Sequence, residues 1–184
     1  KNYSNCNEIV PIPIEMDAEV QPLKFKDYPI NIFHGWQPNK EYRKGNLFFD
    51  EAVKKLIINY PDKVNYQIVG GLPYKEYIKT FNKSHIFLDQ CMSMDQGVNA
   101  LLALAKGKVV FSGFDDYLCG YYSLKNKPLL DAKPDIEFIY KQLETLIVNP
   151  YLLDNYSERA ILFMKSNHNF NYVLEKYLKI WEKF

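Results

Sequence analysis

Short apolar runs alternate with helix-period segments along most of this 184-residue chain, and this alternation constrains the fold more than any other feature. Four apolar runs predict strands at Ile30–Phe33, Tyr66–Val69, His85–Leu88 and Val109–Phe111. Runs of this kind are typical of parallel strands that are covered on both faces. A brief fifth strand can be placed at Pro128–Leu130.

The segments between these runs follow helical spacing. The first helix has one apolar face, formed by Phe48, Ala52, Leu56 and Tyr60. Two more helices are predicted at Tyr74–Phe81 and Val98–Lys106. Strand–helix–strand order at this spacing indicates βαβ units, whose crossovers are nearly always right-handed. The predicted fold class is therefore α/β, a doubly wound parallel sheet of the Rossmann type.

The last third of the chain predicts a helical C-terminal tail. Asp135 is placed to cap one helix, and Pro150 lies in the first turn of the next. A final helix carries Phe170, Tyr177 and Trp181 at helical spacing. We expect these three aromatic side chains to pack the last helix back across the domain.

The N-terminal residues differ from the rest in composition. Asn7–Pro22 has a strand-like beginning and continues with the chemistry of a proline-rich linker. The chain also starts at Lys1 without methionine. We interpret residues 1–28 as a strand and linker from a preceding part of a longer chain, and residues 29–184 as the Rossmann-like domain. The alternative is an ordinary protein without its initiator methionine.

Composition limits the partners that the chain can have. The net charge of +1 gives no bulk basic field, so no nucleic-acid partner is expected. The longest apolar run, Ala100–Ala105, is too short to cross a bilayer. Three widely spaced cysteines fit a reducing cytoplasm better than a disulfide framework. No cysteine pair has metal-ligand spacing and the three histidines stand alone, so no metal site is expected.

Ligands of open α/β sheets bind at the carboxyl ends of the strands, so the loops there hold the candidate site. The loop after the first strand carries Lys40, Arg43 and Lys44, next to Gly45 at a helix start. Cations beside a helix N-terminus favour an anion such as phosphate. A solvated turn explains the same spacing equally well.

Two further turns could contribute to such a site. Gly97, Val98 and Asn99 open the third helix, where free backbone amides would face a ligand or merely form a turn. Gly70, Gly71 and Leu72 end the second strand and form a turn that could also support a base. The pair Asp115–Asp116 has no further metal ligands near it in the sequence.

These elements, in this order, resemble the C-terminal lobe of the GT-B glycosyltransferases, specifically the retaining group 1 family that contains sucrose synthases. Three stretches carry the resemblance, which covers Ile30–Phe184: Pro38–Gly45, His85–Val98 and Ala103–Val110. The last reads Ala-Leu-Ala-Lys-Gly-Lys-Val-Val, similar to the family's Ala-Met-Ala-x-Gly-Lys-Pro-Val junction.

The resemblance implies transfer of a sugar from a nucleoside-diphosphate sugar with retained configuration, in polysaccharide or glycoconjugate synthesis. It implies no cofactor and no obligatory metal. The residues matched to donor phosphates are Lys40, Arg43, Lys44, Gly97, Val98 and Asn99, and those matched to the base are Gly70, Gly71 and Leu72. An acceptor glycan or lipid-linked sugar would bind mainly to a missing N-terminal lobe. That lobe would also make any membrane contact, and the isolated chain would be inactive.

One departure from the family pattern concerns its two glutamates, which contact the donor sugar and the ribose. The matching positions are Met94 and Leu102. Asp95 is adjacent to the first position and is the candidate catalytic residue. The alternatives are a degenerate, non-catalytic lobe, a sugar-nucleotide epimerase of the same two-lobed build, and an unrelated receiver-like α/β module.

Overall fold

The computed structural model of the chain describes residues 8–36 and 42–183. Its centre is a five-stranded parallel sheet in the order β2-β1-β3-β4-β5. The strands are β1 (Ile30–Gly35), β2 (Val64–Val69), β3 (Ile86–Leu88), β4 (Val109–Ser112) and β5 (Leu130–Asp131). The strand order reverses between β1 and β3. The loops after these two strands therefore diverge at the switch point where such sheets bind ligands.

Seven helices accompany the sheet in the described part of the chain. They are α1 (Asn46–Asn59), α2 (Tyr74–Lys83), α3 (Val98–Ala105), α4 (Asp116–Tyr121), α5 (Ile136–Val148), α6 (Tyr151–Asn167) and α7 (Phe170–Trp181). All strands and helices predicted from Ile30 onward are present, and α4 is additional. The expected cap of α5 is also found, because the Asp135 carboxylate accepts from the Phe138 amide. Pro150, which was predicted in the first turn of the next helix, immediately precedes α6.

Two apolar cores lie on opposite faces of the sheet. Adjacent strand residues alternate between them, so Ile32 packs in one core and Phe33 in the other. The first core includes α1 and α5, and the second includes α3 and α6. Both cores consist mainly of buried aliphatic and aromatic side chains. The doubly wound α/β fold is therefore confirmed.

The expected packing of the last helix is wrong. Phe170, Tyr177 and Trp181 are 62%, 41% and 68% exposed, and the buried residue of α7 is Val173. Helical spacing identified the aromatic stripe correctly, but spacing alone does not show which face meets the body of the protein. Here the stripe points outward, and Tyr177 and Trp181 contact each other with ring centroids 6.2 Å apart.

The segment before β1 contains no strand within residues 8–29, so the strand-like beginning expected there is not formed in the described part. This segment is tied to the C-terminal helices instead. The Ile14 amide donates to the His168 carbonyl, and the Leu23 amide donates to the Ser157 hydroxyl. Pro11, Pro13 and Pro22 lack amide donors, which disfavours strand pairing. The division of the chain at residue 28 stays a prediction.

Among the residues that the structure describes, no helix has both the length and the apolar character that crossing a membrane requires.

Candidate functional site

A cavity of about 430 Å³ opens at the carboxyl edge of the sheet, beside the switch point; we call it the edge cavity. Its walls come from the loops after β1 and β2, from α2 and from α3. The lining residues are Gly35, Lys44, Val69, Gly70, Gly71, Leu72, Tyr74, Tyr77, Ile78, Phe81, Phe87, Asn99 and Leu102. Most of them are apolar or aromatic, and Lys44 supplies the charge.

Aromatic packing makes one wall of the edge cavity rigid. Tyr77 stacks on Phe81 and meets Phe33 edge-on, with centroid distances of 6.3 and 5.1 Å. Burial, and secondarily the nearby Asp89 carboxylate, raise the pKa of Tyr77 above its usual value. The Tyr77 hydroxyl is therefore a neutral hydrogen-bonding group at physiological pH.

Lys44 lies at the end of this cavity and is held by a buried carboxylate. Its Nζ is 2.6 Å from Asp89 Oδ1, and the Asp89 side chain is fully buried while that of Lys44 is 31% exposed. The Ser112 hydroxyl donates to the other Asp89 oxygen at 3.2 Å. Asp89 thus fixes the position of the Lys44 ammonium and offsets part of its charge.

The same carboxylate lies under the start of α3. A Cβ added to Gly97 would be 3.2 Å from Asp89 Oδ2, so this glycine allows the close approach. The first amides of a helix have no acceptors within the helix, which makes this end electropositive. A cation and a helix start therefore meet around one internal anion. Asp89 was not among the residues predicted for the site, and its position directly after an apolar strand is the sequence signal that marks it.

A backbone hydrogen bond and close packing hold the loops after β1 and β3 against each other beside Lys44. The Cys91 amide donates to the Lys44 carbonyl at 2.9 Å. Gly45 has a φ of 75°, and a Cβ at this position would lie 2.3 Å from Cys91 Sγ. Burial raises the pKa of the Cys91 thiol to about 11, so it is a packed, neutral thiol.

The structure brings together five of the proposed site residues. Lys44 and Asn99 from the phosphate set line the edge cavity with Gly70, Gly71 and Leu72 from the base set. Three other members of the phosphate set, Arg43, Gly97 and Val98, are not among its lining residues. Arg43 and Val98 are exposed, and Gly97 is partly buried. Lys40 lies outside the described residues.

Asp95 lies in a different cavity, which the structure forms between the N-terminal segment, the Ser93–Gln96 loop and α4. This linker cavity has a volume of about 550 Å³. The Asp95 carboxylate accepts from the Ser93 hydroxyl at 2.7 Å. Leu101 and Leu102 are neighbours on α3 but line different cavities. Leu101 lines the linker cavity, and Leu102 lines the edge cavity. The start of α3 therefore separates Asp95 from Lys44.

The acidic pair after β4 has structural partners. The Asp115 carboxylate caps α4 by accepting from the Leu118 amide, and Asp116 pairs with Lys127 at 3.1 Å. No group of three or more metal-ligating side chains occurs within residues 8–36 and 42–183.

Gly113 packs closely against the backbone of Ser93, which lines the linker cavity, and this contact supports a testable prediction. A Cβ here would lie 1.9 Å from the Ser93 carbonyl oxygen, so Gly113→Ala must displace the Ser93–Asp95 backbone. We expect a loss of about 1–3 kcal/mol in the free energy of unfolding, measured with urea. Gly120→Ala is the control, since its added methyl would point into open space beside its own helix. Equal stability of the two variants would contradict the close contact.

No family profile matches the sequence, and no curated protein matches it at a significant level. Solved structures do share its fold. TarM superposes with a TM-score of 0.64 at 15% identity over 92% of this chain. A glycosyltransferase from Rickettsia africae ESF-5 gives 0.59 at 17% over 86%, and the C-terminal domain of the group 1 glycosyl transferase LpcC from Francisella tularensis gives 0.56 at 16% over 77%. The fold is that of one lobe of a GT-B glycosyltransferase.

The share of the matched protein that this chain covers differs from one structure to the next. The chain spans only 38% of TarM and 48% of the Rickettsia enzyme, but 87% of the isolated LpcC domain. Structures of Anabaena HepE with UDP and with UDP-glucose share the GT-B lobe fold as well, each with a TM-score of 0.58 at 10% identity. The match to a lobe-sized domain agrees with the resemblance described from the sequence.

Proposed function

We propose that this chain is the donor-binding lobe of a glycosyltransferase that moves a sugar from a nucleoside-diphosphate sugar to an acceptor glycan or lipid-linked sugar. The observation that carries the proposal is the edge cavity, an aromatic pocket at the switch point of a GT-B lobe. Its one cation, Lys44, is held by the buried Asp89 carboxylate. Anabaena HepE, which shares this fold, has been solved with UDP and with UDP-glucose bound.

The cavity suits the parts of a nucleoside diphosphate. Tyr74 and Tyr77 offer aromatic surface to a base, and the turn Gly70–Leu72 leaves backbone groups accessible beside it. Lys44 and the first amides of α3 offer positive charge to the diphosphate. During transfer the bond between the sugar and the diphosphate breaks, and charge grows on the departing phosphate oxygen. Lys44 and the helix start would stabilise that charge, which is the dominant contribution expected of this lobe.

The sugar would extend from the edge cavity across the start of α3 toward Asp95. Asp95 is the acidic residue of the Ser93–Gln96 loop, and the hydrogen bond that its carboxylate accepts from the Ser93 hydroxyl fixes its orientation. Retention of configuration and independence from metal are part of the proposal. A chelator should accordingly leave nucleotide binding unchanged.

A second candidate is a degenerate lobe that keeps the fold and nucleotide affinity without catalysis. Its support is that both positions matched to the family glutamates are apolar: Met94 is 72% exposed and Leu102 is 47% exposed. An epimerase acting on the same kind of nucleotide sugar is a third. Product analysis with the chain joined to its preceding lobe separates them: transfer, epimerised nucleotide sugar, or neither.

Calorimetry on the 184-residue chain tests the binding part of the proposal. We expect UDP or GDP to bind with a Kd of about 1 mM or below at low salt, where phosphate contacts are least screened. We also expect no sugar transfer by this chain alone, because a second wall is needed to position the acceptor. Failure of both nucleotides to bind at millimolar concentration would contradict the proposed site. Robust transfer by the isolated chain would contradict the two-lobed arrangement.

A further inference from the structure

One edge of the sheet is long and unprotected. Strand β2 is the outermost strand on the side of β1, and no further strand lies beyond it in the described part of the chain. The opposite edge, β5, has only two residues and ends at Asp131, whose carboxylate is paired with Lys127. Edge strands are commonly short or carry a lysine, a proline or another charge, because these features block pairing with a second chain. The sequence of β2, Val-Asn-Tyr-Gln-Ile-Val, has six residues and none of these features.

The outward backbone groups of β2 belong to Val64, Tyr66 and Ile68. The residues between them direct their backbone groups toward β1, and at the end of the strand the Trp36 amide donates to the Val69 carbonyl. Because the backbone groups of successive strand residues point to alternate sides, the amides and carbonyls of the three other residues point away from the sheet. Among the described residues, none forms a hydrogen bond with these outward groups.

The edge is open to solvent. Gln67 and Ile68 are both exposed, Ile68 to 49%. Val64 is buried in the first core and Tyr66 packs against that core. Ile68 lies on the same face of the strand as these two residues, because side chains alternate between the faces. Ile68 therefore extends the apolar layer of the first core to the edge, where a neighbouring strand would cover it.

We propose that β2 pairs with the β2 strand of a second copy of this chain, in antiparallel orientation about a two-fold axis at Tyr66. This register places Val64 opposite Ile68, and Tyr66 opposite the same residue of the other copy. Each outward amide then meets an outward carbonyl, because opposed residues of an antiparallel ladder exchange both bonds. The pairing leaves no open edge at β2, so the assembly closes at two copies.

The side chains of β2 favour a second copy as the partner. In this register Asn65 lies opposite Gln67 on the other face of the strand, where the two amides can hydrogen-bond. The Asn65 amide nitrogen donates to Asn31 at 2.8 Å, and its amide oxygen can accept from Gln67 of the other copy. Lys63, the charged residue next to the strand, falls opposite Val69, so no like charges meet.

Sedimentation of the 184-residue chain tests the pairing. We expect a monomer at about 1 μM and a dimer at about 1 mM, because an interface of two short strands lies at the weak end of protein interfaces. In the dimer, the amides of Val64, Tyr66 and Ile68 should exchange hydrogen at least about tenfold more slowly than in the monomer. Ile68→Lys should weaken dimerisation by at least about tenfold, because edge lysines oppose pairing and the two-fold axis brings in the substitution twice.

Leu178→Lys is the matched control. Leu178 is 45% exposed on α7, another exposed apolar surface, so this variant should dimerise like the unaltered chain. Both variants should unfold at the same urea concentration as the unaltered chain, because both positions are exposed. A chain that stays monomeric at millimolar concentration would overturn the inference. So would a dimer that Leu178→Lys disrupts and Ile68→Lys does not, a dimer that leaves the three β2 amides unprotected, or open-ended aggregates in place of a dimer.

Discussion

Lys44→Ala is expected to weaken UDP binding by at least about tenfold, since a charge-assisted hydrogen bond contributes roughly 1.5–3 kcal/mol. The loss has two causes. The substitution removes the cation at the end of the edge cavity, and it leaves the buried Asp89 carboxylate without its partner 2.6 Å away. An incoming diphosphate then meets an uncompensated negative charge. Calorimetry at fixed, low salt measures the affinity, and an unchanged Kd would show that Lys44 does not contact the ligand.

The same substitution should also destabilise the fold, by about 1–3 kcal/mol, because a buried charge has lost its counterion. Asp89→Asn separates the two effects. It frees the Lys44 ammonium from a neighbouring anion while keeping the shape of the side chain, so UDP affinity should rise several-fold. The double variant removes both charges and should recover stability without recovering affinity. If Asp89→Asn weakens binding, then Asp89 positions Lys44 for the ligand rather than competing with it.

Most of the fold was predictable because its signals are local. The apolar runs that became β1 to β4 and the cap at Asp135 depend on residues that are neighbours in the sequence. Helix α4 was missed because its six residues include Gly120 and are too few for a periodic pattern. Sequence patterns also could not predict that the aromatic stripe on α7 faces outward, because this depends on which surface the preceding helices present to α7.

In the candidate site, too, local features could be predicted from the sequence and long-range contacts could not. Lys44 and the turns at Gly70 and Gly97 were identifiable from their positions after strands. The partnership of Lys44 with Asp89 joins residues 45 positions apart and exists only once β1 and β3 are adjacent. The separation of Asp95 from the edge cavity depends on the orientation of α3, which spacing in the sequence does not specify.

A buried histidine near the end of β1 should make the stability of this fold depend on pH. His34 is fully buried. Its Nδ1 is 2.7 Å from the Tyr66 hydroxyl, and its Nε2 is 3.1 Å from Asn46 Oδ1. The amide oxygen can only accept, so Nε2 carries the proton and the Tyr66 hydroxyl donates to Nδ1. Both ring nitrogens are thus satisfied by the neutral form, and a second proton would break the bond from Tyr66.

Burial lowers the pKa of His34 from 6.5 to about 4, and the hydrogen bond to Asn46 offsets only part of this shift. The unfolded chain therefore binds a proton that the folded chain rejects, and stability is lost as the pH falls from about 6.5 toward 4. The loss from His34 should reach about 2 kcal/mol at pH 5 and about 3 kcal/mol near pH 4. Burial also lowers the pKa of His85 and of His168, which adds to the effect in the same direction.

Urea unfolding at pH 7.5 and pH 5.0 measures this dependence. His34→Gln should flatten it by about 2 kcal/mol, because glutamine can donate to Asn46 and accept from Tyr66 without titrating in this range. His85→Gln is the comparison, since His85 is partly exposed and accepts from the Asn31 amide at the edge of the same strand. If the His34 and His85 variants lose as much stability as the unaltered chain between these two pH values, the acid sensitivity arises from other groups, His168 among them, and His34 has no part in it.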